Sequence, residues 1–195
     1  MDSAGVRPVD AQAVVATLAA AFAGDPVWGA WACGDAPDRV GLLEVFWKPW
    51  VEAGLKYDGF TMTRAAAAVS GWVPPGVHET DDEDEAAIEA VTLRLFGDRA
   101  PLLLEAYELF EANRPDTPHW YLSLLASHPM YRGEGRGMRL LRADLVRVDA
   151  AHQPAYLEST NPANDARYEA VGFARHGSFT LPQGPTVTTM WRAAR

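Results

Sequence analysis

The chain has 195 residues, 48% apolar and 22% charged, and a formal net charge of −9. That length suits one domain spanning 1–195 with a core large enough to need no metal or disulfide. Its single cysteine, Cys33, excludes an intramolecular disulfide and a thiolate-rich zinc site.

The acidic balance argues against nucleic acid as a partner. No apolar run approaches the ~20 residues of a membrane span, and residues 1–7 lack the basic start and apolar core of a signal peptide. A reducing, cytoplasmic setting without membrane contact is therefore the expectation. Charge is unevenly spread. Seven acidic residues fall between Glu79 and Glu89 with no Lys or Arg among them, whereas five arginines lie between Arg132 and Arg147 against Glu134 and Asp144. An acidic chain with one compact basic segment suits a small anion. The scarcity of lysine and abundance of alanine fit a GC-rich, bacterial-type genome.

Val6-Arg7-Pro8-Val9 reads as a short edge strand. Asp10 offers an N-cap for a helix carrying Val14, Leu18 and Phe22, ending near Gly24-Asp25-Pro26. A second helix is expected from about Asp38 to Gly54, with Val40, Leu43, Phe46, Trp47 and Trp50 on its apolar side. Pro49 inside it predicts a kink or an early stop. Phe60-Thr61-Met62 and the run from Ala66 to Trp72 read as strands joined by a tight turn. The acidic cluster from Asp81 to Glu85 suits a helix N-terminus and opens a helical stretch from about Asp82 to Ala112, broken near Gly97 to Pro101.

His119 to Ser127 is an apolar strand leading into the turn Arg132-Gly133-Glu134-Gly135-Arg136-Gly137. Met138, Leu141, Leu145 and Val148 then form the stripe of an amphipathic helix. Ala155-Tyr156-Leu157 is a short strand, Asn164 to Val171 a short helix ended by Gly172, and Phe173 to Thr180 and Thr186 to Trp191 are closing strands. Strand and helix alternate throughout, so the class is mixed α/β.

The glycine turn carries the chemistry. Three glycines in five positions let backbone approach a ligand with inward-pointing N–H groups, and the helix start adds unpaired amides and partial positive charge. Arg132 and Arg136 bring full charges, so a pyrophosphate suits the pocket. Two other phosphate motifs fail: Gly137 is followed by Met138 and Arg139 rather than Lys and Ser/Thr, and the last glycine of a dinucleotide fingerprint would fall on Met138. On its own, the turn is equally an ordinary strand-to-helix connection.

Arg132-x-x-Gly135-x-Gly137 after an apolar strand resembles the acyl-CoA signature of the GNAT superfamily of N-acetyltransferases. Asn164, Tyr168 and Gly172-Phe173 resemble that family's closing helix-and-strand motif. The likeness is nearest to the puromycin N-acetyltransferase-like branch, through Trp120-Tyr121-Leu122, the turn, and Tyr156-Leu157-Glu158-Ser159 to Phe173. It extends loosely to Ala20-Ala21-Phe22 and the strand from Ala68 to Trp72.

The resemblance implies a mixed, mostly antiparallel sheet flanked by helices, with central strands that splay apart at a bulge. It implies acetyl-CoA as acyl donor, no metal, and pantetheine held along Leu125, Ala126 and Ser127. The pyrophosphate would sit on the amides of Arg132, Gly133, Gly135, Arg136 and Gly137. Tyr168 matches the family's general acid, which would protonate the departing thiolate; a core tyrosine near a helix end is the other reading. Asn164 either hydrogen-bonds cofactor amides or caps its helix.

The base is less marked. No carboxylate lies on the strand from His119 to Ser127, which leaves Glu158, at the end of the next strand, as the best carboxylate candidate; a plain strand-terminal charge is its alternative. His119 and His128 are the remaining candidates, and a lone histidine is more often solvated or hydrogen-bonded. Trp28, Trp31, Trp47 and Trp50 lie where an acceptor site would border, and are core, a homodimer contact or a wall for an apolar amine. The acidic run either attracts a cationic amine or is a solvated helix start. Cys33 reads as a small buried residue.

The expected activity is acetyl transfer from acetyl-CoA to a primary amine of a small molecule, by direct attack. A non-catalytic acyl-CoA sensor and a protein or peptide N-acetyltransferase are the alternatives.

Overall fold

The fold is taken from a computed structural model, which describes residues 9–195. The strand expected at residues 6–9 lies outside the described residues except for Val9, which belongs to no regular element. Helix α1 (Ala11–Phe22) begins where its cap dictates: the Asp10 carboxylate accepts from the Ala13 amide at 3.1 Å, and Val14 and Leu18 are fully buried. A single π-helical turn, Pro26–Ala32, follows without having been expected. Asp25 starts it by accepting from the Val27 and Trp28 amides at 2.8 and 3.1 Å.

Helix α2 (Arg39–Leu55) is capped by Asp38 and runs on through Pro49, so the expected early stop does not occur. The carbonyl that Pro49 leaves unpaired belongs to Val45, which is 40% exposed and so within reach of water. Leu43, Phe46 and Trp47 are buried as expected, whereas Val40 lies at the exposed start of the helix. A reciprocal capping box between Asp81 and Asp84 opens α3 (Asp82–Phe96), and a turn at Gly97 separates it from α4 (Ala100–Ala112).

Six strands form one sheet: β1 (Phe60–Met62), β2 (Ala68–Val73), β3 (Trp120–Ser127), β4 (Ala155–Ser159), β5 (Ala174–Thr180) and β6 (Thr186–Arg192), in the order β1-β2-β3-β4-β6-β5. Every pair is antiparallel except β3 with β4, which needs the long crossover supplied by α5 (Arg136–Ala150). The short α6 (Asp165–Glu169) links β4 to β5.

Two irregularities of β3 shape the molecule. Its pairing with β4 ends at Leu122 opposite Leu157, although both strands continue, so a gap opens between them. On its other edge Trp72 opposes Leu122 while Gly71 opposes Leu124, which leaves Ser123 as a bulge. The extra residue resets the alternation. Leu122 and Leu125 both join the apolar layer of Leu141, Leu145 and Val148 from α5, and Leu124 and Ala126 join the layer of α1, α2 and α4.

Helix α5 is pinned to the sheet by polar contacts. Asp144, buried on its inner face, accepts from Ser70 Oγ at 2.7 Å, Thr61 Oγ1 at 3.0 Å and Trp72 Nε1 at 3.1 Å. Near its C-terminus Arg192 pairs with Asp149 at 2.5 and 2.9 Å and donates to the Val171 carbonyl. Among the described residues no single helix is long and apolar enough to cross a membrane; α1 and the π turn together have the composition, but they are bent by 74°.

Candidate active site

The glycine turn leaves a row of donors open. Gly133 and Gly135 have φ of 85° and 67°, a region that side-chain-bearing residues rarely adopt. Among the described residues the amides of Gly133, Gly135, Arg136, Gly137 and Met138 donate to no protein acceptor, and no side chain caps α5. The Arg132 amide, expected in this set, is instead taken by the Pro129 carbonyl at 3.1 Å, and Met138 supplies the further free amide. The Arg132 side chain is exposed and makes no ion pair among the described residues, whereas Arg136 pairs with Glu134 at 2.8 Å and lies 4.0 Å over the Tyr131 ring. Close packing requires Gly137: a Cβ there would stand 2.5 Å from Ser127 Oγ.

Leu125, Ala126 and Ser127 line the β3 side of the gap, beyond the last pairing with β4. Asn164 sits half-buried past the end of β4. Its side chain makes no capping bond; its Oδ1 accepts from Arg167 at 2.8 Å, and Asn161 caps the preceding turn instead. Tyr168 packs its ring against the apolar layer beneath α5, 6.3 Å from Phe173. Its hydroxyl has no hydrogen-bond partner among the described residues, and burial, helped by the negative charges of Asp25 and Asp165, pushes it up to about 12.

The opposite face of the sheet carries the acidic chemistry. Tyr121 and Tyr156 pair across β3 and β4, and Glu158, two residues beyond Tyr156, shares their face. Glu158 Oε1 is fully enclosed without a hydrogen-bond partner among the described residues, and burial pushes the carboxyl up to about 7 against the pull of Arg114 and the nearby Tyr121 and Tyr156 phenols. The Tyr156 hydroxyl itself donates to the Asn113 carbonyl at 3.0 Å.

Over this floor lies a polar cluster that the sequence did not reveal. Arg114 stacks 4.0 Å above the Tyr121 ring and pairs with Glu79 at 3.1 Å; its buried Nε makes no hydrogen bond. Ser123, the bulged residue, donates to the other oxygen of Glu79. Beside Glu79 and Ser123 a narrow cleft is walled by Trp50, Tyr57, Phe60 and Leu124, with about 10 Å³ of free space, roughly one water. A larger hollow of about 520 Å³ beside Ala23 and residues 35–40 contains none of these groups.

Most other candidates have structural work. His119 is buried between Tyr156 and Trp191 with Nδ1 2.6 Å from the Thr117 carbonyl, and burial lowers its pKa. His128 Nδ1 accepts from the Met130 amide. Trp28 and Trp47 belong to an aromatic core, Trp31 donates to the Pro182 carbonyl, and Trp50 alone of the four reaches the cleft. Within the acidic run, Asp81 and Asp84 bind Lys56 at 2.7 and 2.8 Å and cap α3, while Glu79 turns inward. Cys33 donates its thiol to the Trp28 carbonyl, and burial pushes its pKa up, the reverse of an activated nucleophile. No cluster of three or more His, Cys, Asp or Glu among the described residues is placed to hold a metal ion.

No family model matches the chain. Solved structures resemble it over nearly their whole length. A protein of Corynebacterium glutamicum described as histone acetyltransferase HPA2 and related acetyltransferase is 23% identical, with 97% of this chain and 95% of that one covered at a TM-score of 0.69. Arylalkylamine N-acetyltransferase 2 of Aedes aegypti is 16% identical, covering 97% and 98% at a TM-score of 0.62. An agmatine N-acetyltransferase is 19% identical, covering 95% and 96% at 0.54. The mixed six-stranded sheet flanked by helices is thus the GNAT acetyltransferase fold.

Proposed function

We propose that this chain is an acetyl-CoA-dependent N-acetyltransferase that acetylates a primary amine of a small molecule by direct attack. The observation that carries the reading is the gap between β3 and β4, which has the free amides of the glycine turn on one face and the enclosed, unpartnered Glu158 oxygen on the other. The similarity to solved enzymes whose names specify arylalkylamine and agmatine acceptors supports a small amine. So does the sequence resemblance to the puromycin N-acetyltransferase-like branch. Cytoplasmic residence fits the single buried thiol.

The open amides of Gly133, Gly135, Arg136, Gly137 and Met138, with the unpaired Arg132 charge, suit a diphosphate at a helix N-terminus. The backbone of Leu125, Ala126 and Ser127 offers strand-like hydrogen bonds along the gap to the pantetheine arm, with Asn164 at its rim. When bound, the thioester supplies an activated acetyl group. Glu158 takes a proton from the acceptor ammonium, and its raised pKa suits a base working near neutrality. The free amine nitrogen would bond to the acyl carbon as the carbon–sulfur bond breaks, the Tyr168 hydroxyl would give its proton to the departing sulfur, and the second proton shed by the nitrogen as it becomes an amide would return through water to the Tyr168 oxygen. Backbone N–H on the splayed part of β3, beyond its last pairing with β4, would polarise the thioester carbonyl. Cys33, held by Trp28, takes no part.

Calorimetry with acetyl-CoA, followed by a panel of amines and peptides monitored for free CoA thiol, tests the reading. Saturable binding with thiol release on small amines is expected. Absence of binding removes the cofactor assignment, binding without release favours a sensor, and release with peptides alone moves the acceptor to protein.

A further inference from the structure

The proposed reaction leaves open what kind of amine the site admits, and the cluster over the sheet floor addresses that. Among the described residues, besides the phenols of Tyr57, Tyr121 and Tyr156, the ionisable side chains on this face are Glu79, Arg114 and Glu158, with His119 on the far side of Tyr156, where burial and the Arg114 charge lower its pKa. Arg114 is the one cation among them. Its guanidinium pairs with Glu79 Oε2 at 3.1 Å and its flat face covers the Tyr121 ring at 4.0 Å. The second Glu79 oxygen is held by Ser123 Oγ. The Glu79 and Arg114 side chains are 14% and 27% exposed, so water screens their pairing only in part. The other nearby cation, Lys56, is engaged by Asp81 and Asp84.

With Glu158 ionised, the face carries two negative charges and one positive charge, and the positive charge is already matched. Among the described residues no further cation stands on this face for an incoming anion, and the one open donor, Arg114 Nε, is as enclosed as Glu158 Oε1, so the surplus negative charge is left for a cation.

We propose that the Glu79–Arg114 pair makes this an amine site that rejects carboxylates: its acceptors are primary amines with no acid group beside the nitrogen, and α-amino acids are excluded. Glu79 and Arg114 act on specificity here, through charge, without touching the reacting atoms. The inference rests on the acetyltransfer reading above and adds the substrate class. A free amine places its ammonium against Glu158. An amino acid brings its carboxylate within a few ångströms of the same Glu158 carboxylate, and like charges that water screens only in part repel.

The test compares phenethylamine, phenylalanine and phenylalanine methyl ester as acceptors, with tryptamine, tryptophan and tryptophan methyl ester as a second set. The esters keep the bulk and lose the charge. In the wild-type protein kcat/KM for the amine should exceed that for the amino acid by about 100-fold, with the ester close to the amine. Glu79→Gln releases Arg114 from its ion pair, and the amine-to-acid ratio should then fall by about tenfold, a change of selectivity that general damage to the fold does not produce. The wild-type comparison of ester with acid stands even where the variant fails to fold. An amino acid used as well as its amine, or an ester rejected like the acid, overturns the proposal. Binding of acetyl-CoA with no acetylation of any of the six compounds or of a wider amine panel overturns the transfer reading itself, and this selection with it.

Discussion

Tyr168 and Glu158 belong to opposite faces of the sheet, on either side of the opening between β3 and β4: the Tyr168 ring packs with the layer under α5, while Glu158 shares the Tyr121 and Tyr156 face. The group suited to give a proton and the group suited to take one are thus separated by the gap itself. Each should therefore fail independently when altered.

Glu158→Gln should lower kcat/KM about 100-fold at pH 8. In the wild-type protein kcat/KM should rise with pH through about 7, because the base acts only when ionised. The variant should lack that rise. Burial has a second consequence of definite sign. A carboxyl raised from 4.5 to about 7 holds its proton longer in the folded chain than in the unfolded one, so its contribution to stability is lost as pH climbs between those values. Chemical denaturation from pH 4.5 to 8 should show a decline that Glu158→Gln flattens.

Tyr168→Phe removes one oxygen that makes no hydrogen bond among the described residues, so the fold should be nearly undisturbed. Turnover should fall about 100-fold with acetyl-CoA affinity essentially unchanged. Steady-state kinetics beside calorimetry separates the two quantities. Unchanged kcat returns Tyr168 to the core.

Gly137→Ala puts a methyl 2.5 Å from Ser127 Oγ and so presses α5 and β3 apart where both are needed. Acetyl-CoA should bind about tenfold more weakly, equivalent to about 1.4 kcal/mol. Adding Ser127→Gly should recover most of the loss, since the clash is with that hydroxyl alone. A double variant no better than the single one would show that the helix start is sensitive for another reason.

Asp144→Ala leaves Ser70, Thr61 and Trp72 Nε1 without their shared acceptor in a buried place. The expected cost is about 3 kcal/mol, and calorimetry should record a melting temperature lower by roughly 6–12 °C. Asp144→Asn keeps one acceptor oxygen and should lose less.

Much of the fold could be read in advance because it follows from local rules. Asp10, Asp38 and Asp81 mark helix starts by side-chain acceptors, and the stripe from Leu141 to Val148 is a helix burying one face. The glycine turn was legible for the same reason. Its amides needed correction at one end, since Arg132 closes a turn with Pro129, which no spacing rule foretells. The π turn after Asp25 and the passage of α2 through Pro49 depend on tertiary packing and were not foreseen. The Glu79, Arg114 and Ser123 cluster was hidden by sequence distance: Glu79 precedes the capping acids of α3 and looks like one of them. The faint clue was Ser123 itself, a polar residue in the middle of a mostly apolar strand.

The bulge at Ser123 means that one inserted residue decides which half of β3 serves which layer. Drawing Ser123 into regular pairing would turn the strand beyond it upside down: Leu124 and Ala126 would trade sides with Leu125 and Ser127, and Gly137 would lose its neighbour, whereas removing Ser123 would keep Leu124 opposite Gly71 and every side as it is. The two surfaces of this molecule are kept distinct by a single step in the count along one strand, which a residue added there would upset and a substitution would not.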